Sequence, residues 1–204
     1  MTKEVDNFKL INELLKSGPL FGYHKNQFYC LQLIRRKKDN PSIIKNANKV
    51  IKTFYLVNED DLMNNKDEII TLCNLYNCRA YLYYSRRSCR ESIVNTIKEL
   101  AQRLLTKNYI MPWRVFNMAS SRIKPEVSLW LIDIDDDSGY LDKLDELQEE
   151  VKKSSPYKDI VAKIPTRTGY HFLVEPFDSR EFKKKYPNAD IKRESSSTLV
   201  YCNL

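Results

Sequence analysis

One stretch narrows the choice of fold more than any other: Trp130-Leu131-Ile132-Asp133-Ile134-Asp135. Its run of bulky apolar residues reads as a buried strand. Side chains at alternate positions of a strand point to one face, so Asp133 and Asp135 stand side by side. Two like charges that close repel. The arrangement holds if one acid is protonated, if basic groups surround the pair, or if a divalent cation sits between them. Mg²⁺ suits the last case, because it takes one or two carboxylates together with waters and substrate phosphates. A second reading stays open at this point. Asp136, Asp137 and Ser138 are turn and cap residues ahead of an amphipathic helix over 140–153, and acids at a strand end often serve only that purpose.

A chain of 204 residues fits one domain, or one domain with a small extension, and 42% hydrophobic residues suffice for a core. The net charge of +7 favours an acidic partner, of which nucleic acid is the commonest, although such a charge also serves solubility alone. Five cysteines, an odd number with no Cys-x-x-Cys spacing, argue against both a zinc site and a disulfide framework. Free thiols in a reducing cytoplasm are the simplest account. No apolar signal segment opens the chain, and no run is long enough to span a membrane.

Along the chain, the pattern predicts a helix over 6–16 ended by Ser17-Gly18-Pro19, strands over 27–36 and 50–57 with a turn at 37–41 between them, and a helix over 66–75. Residues 1–77 thus read as a small αβ lobe, in which His24 is a surface or structural histidine. A strand over 79–85 leads into a turn with Arg86, Arg87 and Arg90, which suits either phosphate or solvent. The helix over 90–105 is expected to pack Ile93, Ile97, Leu100, Ala101 and Leu104 onto the core, with Trp113, Phe116 and Met118 packing there too. After the Asp133–Asp135 strand and its helix, Ser154-Ser155-Pro156 breaks the chain. A hairpin then joins strands over 160–164 and 170–174 through Pro165-Thr166-Arg167-Thr168-Gly169. Lys183, Lys184 and Lys185 form a solvated helix face, and 198–202 is a last strand. The β-α-β-α-β-β order from Arg79 gives an α+β class for residues 78–204. It is close to an RNA-recognition-like (RRM-like) or ferredoxin-like sheet with helices on one face and polar residues on the other.

Four residues then form a constellation: Asp133, Asp135, His171 on the returning strand of the hairpin, and Asp190. His171 follows a turn with two hydroxyls, a guanidinium and a glycine that lets backbone approach a ligand. With these motifs the chain resembles the archaeo-eukaryotic primase superfamily, which includes primase-polymerases and the small primase domains of plasmid and phage replication proteins. The first motif of that family is an apolar strand ending in two acids one residue apart, as in Leu131-Ile132-Asp133-Ile134-Asp135. The second is a hairpin strand with a small residue, any residue and His, here Arg167-Thr168-Gly169-Tyr170-His171, with Gly169 where serine is usual. The third is an Asp followed by basic residues. Asp190 with Lys192 and Arg193 is the best match, although it follows Ala189 where the family has a bulky apolar residue, and Asp178 is a rival acid.

The resemblance implies a nucleotidyltransferase in which Asp133, Asp135 and Asp190 hold two Mg²⁺ or Mn²⁺ ions. Arg167, His171, Lys192 and Arg193 would bind a nucleoside triphosphate, and the basic surface would hold a DNA template with exposed tyrosines stacking its bases. A helicase or other replication proteins would be its partners. Three other readings stand beside this one: a non-catalytic nucleic-acid-binding module on an RRM-like sheet, a metal-dependent nuclease using the same acids, and a structural or interaction protein. On the sequence alone, Asp133→Ala or Asp135→Ala is expected to leave the fold intact, since removing like charges relieves repulsion.

Overall fold

The computed structural model describes residues 4–17, 20–41, 48–124, 127–135, 138–154, 160–193 and 197–203. The chain is an α+β protein with two antiparallel sheets and, among those residues, seven helices. The expected breaks at Gly18-Pro19 and Ser155-Pro156 and the caps at Asp136 and Asp137 lie outside the described residues.

The first sheet has the spatial order β1 (Val5–Asp6), β9 (Ser197–Cys202), β4 (Arg79–Ser88), β2 (Gln27–Arg35), β3 (Lys49–Leu56). Alternation decides its faces. Tyr29, Leu31 and Leu33 of β2 stand opposite Leu56, Phe54 and Lys52 of β3, and Leu31 and Leu33 also stand opposite Leu82 and Ala80 of β4. This face is covered by α1 (Phe8–Ser17), which buries Phe8, Ile11 and Leu15 at helical spacing, and by α3 (Lys66–Tyr76), which buries Ile69 and Cys73. A four-residue helix, α2 (Asp61–Asn64), precedes α3 and adds Leu62. Asn77 ends α3 in the left-handed region at φ +47°, where Asn is tolerated, and the Cys78 N–H donates to the Cys73 carbonyl at 3.0 Å.

The second sheet has the order β6 (Ile160–Pro165), β7 (Gly169–Val174), β5 (Trp130–Asp135), β8 (Asp190–Lys192). Helices α6 (Leu144–Ser154) and α7 (Ser179–Lys185) cover one face, where Ile132, Ile134, Phe172 and Val174 meet Leu147, Val151, Phe182 and Tyr186. On the opposite face Leu131 and Leu173 join the core of the first sheet, together with Ile164. The same face turns polar one step further along each strand, at Asp133 and His171. Asn7 ties the two sheets together, because its side-chain amide donates to the Pro165 carbonyl at 2.8 Å and to the Leu199 carbonyl at 2.9 Å.

Two expectations are corrected here. The strand at Arg79 does not open the unit that contains Asp133. Both its edges are taken by β2 and β9, so the first sheet draws strands from both sides of residue 78. The β-α-β-β-α-β succession begins instead at Trp130 and runs β5-α6-β6-β7-α7-β8. The second correction concerns α4 (Cys89–Leu105) and α5 (Pro112–Ser121). Helix α4 starts where expected, with the Ser88 hydroxyl accepting from the Glu91 N–H in a Ser-x-x-Glu cap. Its apolar stripe, however, faces solvent: Ile93 is 53%, Ile97 61% and Leu104 64% exposed. The inward side carries Ser92, which is buried, and Glu99, which pairs with Arg103 and with Arg122 just past α5. Trp113 is 60% exposed, whereas Phe116 packs onto Phe28 and Tyr55 of the first sheet.

The five cysteines are free thiols. No helix among the described residues is long and apolar enough to cross a membrane.

Candidate functional site

A cleft of about 450 Å³ opens between the two sheets where β5 turns polar. The second sheet contributes Asp133, Asp135, Thr166, Arg167, Thr168, His171 and Lys192. The first contributes Arg36, Lys38, Arg79, Tyr81 and Leu199, among others. The row at its centre follows from strand register: Asp133 on β5 stands directly opposite His171 on β7 and opposite Asp190 on β8. Cross-strand neighbours share a face, so the two sequence motifs and the third acid meet without any loop having to carry them.

Asp133 is the most constrained of these groups. Its Oδ1 lies 3.4 Å from His171 Nε2 and its Oδ2 2.6 Å from Lys192 Nζ. Burial alone would push its carboxyl up, but the contact with His171, the charge of that ring and the Lys192 ammonium outweigh burial and hold the carboxyl well below the usual range. The other ring nitrogen of His171, Nδ1, lies 3.1 Å from the buried Thr198 hydroxyl on β9. Both ring nitrogens are therefore engaged inside the protein, and the imidazole bridges the two sheets. Asp135 is exposed and accepts a hydrogen bond from Thr168 at 2.8 Å. Asp190 is exposed too, with Lys192 Nζ 3.8 Å from its Oδ2. The Lys192 ammonium thus spans Asp133 and Asp190.

Gly169 has a reason of its own. A Cβ there would lie 1.8 Å from the Ile134 carbonyl oxygen, so β7 approaches β5 too closely for any side chain.

Cations line the opposite wall. Arg79 makes a bidentate pair with Asp39, at 2.8 and 2.5 Å, and both side chains are nearly buried. Burial pulls the Arg79 guanidinium down, and the hydrogen bonds and charge of Asp39 more than restore it, so it stays charged. Arg36 donates to the Tyr81 hydroxyl at 3.0 Å. Arg167 and Lys38 have no ion-pair partner among the described residues. The Thr166 hydroxyl, buried in the same cleft, has no hydrogen-bond partner among them either.

Comparison with protein-family models, with curated proteins and with solved structures finds no match. The site is therefore read from its own geometry.

Of the seven residues singled out in the sequence, the structure brings Asp133, Asp135, His171, Arg167 and Lys192 into the cleft and sets Asp190 beside it. Arg193 goes elsewhere: it donates to Ser179 at 3.0 Å and lies over the Trp130 ring on the helix-covered side of the sheet. The rival acid Asp178 caps α7. Its hydrogen bonds to the Arg180 guanidinium and backbone hold its carboxyl down to about 2, away from the cleft. Arg86 donates to the Phe21 and Gly22 carbonyls, which fixes it as a structural arginine.

Sequence reasoning missed Arg36, Lys38, Arg79 and Thr198. The run Arg35-Arg36-Lys37-Lys38 at the end of a strand was the one available signal. Nothing local marks Thr198. Among the described residues, no three His, Cys, Asp or Glu side chains converge closely enough to form a ready metal cage. The donors at hand are carboxylate oxygens from one sheet face, the hard-ligand chemistry that suits Mg²⁺ or Mn²⁺.

Proposed function

We propose that the chain is a metal-dependent nucleotidyltransferase of the primase-polymerase type, acting on nucleoside triphosphates and a nucleic-acid template. The observation that carries this reading is the charge pattern of the cleft. Two acids one residue apart on β5, a histidine opposite the first of them and a third acid across β8 share one face, and the facing wall is cationic. Acids amid cations suit a ligand that brings both phosphates and a divalent ion. The order β5-α6-β6-β7-α7-β8, with spatial order β6-β7-β5-β8, supports a ferredoxin-like, RRM-like platform for the site.

Asp133 and Asp135, with Asp190 as the third acid, would hold Mg²⁺ or Mn²⁺, which would supply Lewis-acid activation of a hydroxyl and neutralise a triphosphate. The protein's own groups do the rest by position and charge. Arg167, Lys38 and Arg36 neutralise phosphate oxygens. The Thr166 hydroxyl, without a hydrogen-bond partner among the described residues, donates to one of them. His171, with both nitrogens engaged, acts as a positioning residue that fixes the Asp133 carboxylate and keeps it ionised.

One observation favours a second reading. Lys192 stands where its ammonium pairs with both Asp133 and Asp190, which suits a nucleic-acid-binding module with no catalysis. Melting temperature separates the two readings, since a ligand of the folded state alone raises it. With Mn²⁺ and a nucleoside triphosphate, wild type is expected to gain several degrees, and Asp133→Ala/Asp135→Ala to gain nothing. Primer extension is expected in wild type alone. An equal shift in both proteins, or none in either, overturns the nucleotidyltransferase reading.

A further inference from the structure

The wall that the first sheet gives the cleft continues beyond it. Tyr81 and Leu199 line the cleft, and register carries their face across the sheet: Tyr81 stands opposite Gln32, Tyr83 opposite Cys30 and Ser197, Gln32 opposite Thr53, and Cys30 opposite Tyr55. Helices α1 and α3 lie on the other side. None of these positions is acidic. A guanidinium stands at each end. Arg36 donates to the Tyr81 hydroxyl at 3.0 Å at the cleft, and Arg87 lies over the Tyr83 ring, 5.2 Å from its centroid, at the far end. Between them the Tyr83 hydroxyl donates to Gln32 at 3.1 Å. Helix α5 forms a rim, with Phe116 against Tyr55 and Asn117 bonded to the Tyr55 hydroxyl. Tyr81 and Tyr83 are half-buried and Tyr55 is exposed, while Cys30 between Tyr83 and Tyr55 is buried and Phe28 packs against the Tyr55 ring.

A half-open sheet face with aromatic rings, amide groups and only positive charge is suited to bases that are not already stacked in a duplex. We propose that this face is the track of a single nucleic-acid strand. Bases stack on Tyr55 and Tyr83, Arg87 holds the backbone, and the strand enters the Asp133 cleft over Tyr81. The track takes its direction from the reading of the cleft as a nucleotide site, and the test separates the two.

Fluorescence anisotropy with a labelled oligothymidylate of about 16 nucleotides, its ribo-uridine counterpart and a duplex of equal length would measure affinity. The proteins compared are wild type, Tyr55→Leu and the double variant Tyr83→Leu/Arg87→Gln. The expected result is single-strand binding by wild type, weakened about tenfold in each variant, with the Mn²⁺–triphosphate melting shift unchanged because none of these residues lines the cleft. Whether the deoxy or the ribo strand binds tighter names the source of the strand. Equal binding of the duplex, or wild-type affinity in folded variants, overturns the track. A triphosphate shift without any strand binding overturns the track and leaves the cleft reading standing. Strand binding lost in the variants, with no triphosphate shift in wild type, overturns the cleft reading and supports the track. Should a variant fail to fold, photo-crosslinking of a 5-iodouracil strand to wild type replaces it: crosslinks at Tyr55 and Tyr83 support the track, and crosslinks confined elsewhere overturn it.

Discussion

Asp133 is held by its neighbours as an anion, and this changes what its removal does. Like-charge repulsion with Asp135 was the expectation from the sequence. In the structure its carboxylate meets His171 on one side and Lys192 on the other, while Asp135 turns to Thr168. Asp133→Asn is therefore expected to destabilise by about 1 kcal/mol at pH 7, a hydrogen-bonded charge pair discounted for the solvent around Lys192.

The pH dependence has a definite sign. The folded carboxyl titrates below the ordinary aspartate value of 3.8, so the unfolded chain takes up its proton first. The contribution is whole above about pH 5 and drains away as the pH falls from there toward the lower folded value. Melting temperature followed from pH 7 to pH 2 should show a shallower acid limb in Asp133→Asn than in wild type, and equal slopes would contradict the pairing. The alternation of the two acids was legible because the period of a strand is two. Thr198 and Arg36 were not, because they reach the site through pairing between distant parts of the chain, which no local pattern encodes.

Among the elements, α4 shows what periodicity tells and what it does not. The spacing of Ile93, Ile97 and Leu104 correctly predicts a helix with an apolar stripe, but spacing does not say which neighbour covers that stripe. Here Glu99, paired with Arg103 and Arg122, turns inward and the stripe turns outward. Ile97→Ser is thus expected to change unfolding free energy by less than about 0.5 kcal/mol. Leu131→Ala, in the core shared by the sheets, should cost about 2–5 kcal/mol. Urea titration of the two variants checks the contrast, and a large loss in Ile97→Ser would mean that the stripe is covered. Strand β8 was hidden for a different reason. At three residues it is too short to show a period, and only its pairing with β5 makes Asp190 part of a row.

At the scale of the whole molecule, the two sheets share one apolar cluster. Leu131, Ile164 and Leu173 of the second lie with Leu31, Leu82 and Val200 of the first, and His171 and Asn7 add polar ties. The sequence pattern suggested a lobe ending at residue 77, since composition and helix spacing carry no information about which strands pair. With strands exchanged across that point and a common core, unfolding should be a single event. Far-UV circular dichroism and tryptophan fluorescence, in which Trp130 reports on the second sheet, are expected to give one coincident urea transition. Two separated transitions would mean that the sheets unfold independently.

The place of β9 in the first sheet also bears on how the chain is made. Strand β4 acquires one partner, β2, that has already been synthesised, but its other edge waits for Ser197–Cys202. At the usual pace of translation that wait is on the order of ten seconds. Throughout it, Ala80-Tyr81-Leu82-Tyr83-Tyr84 presents an unpaired, largely apolar edge of the kind that recruits other chains. The period of greatest danger for this protein therefore falls on the ribosome, and slow codons between β4 and β9 would lengthen it.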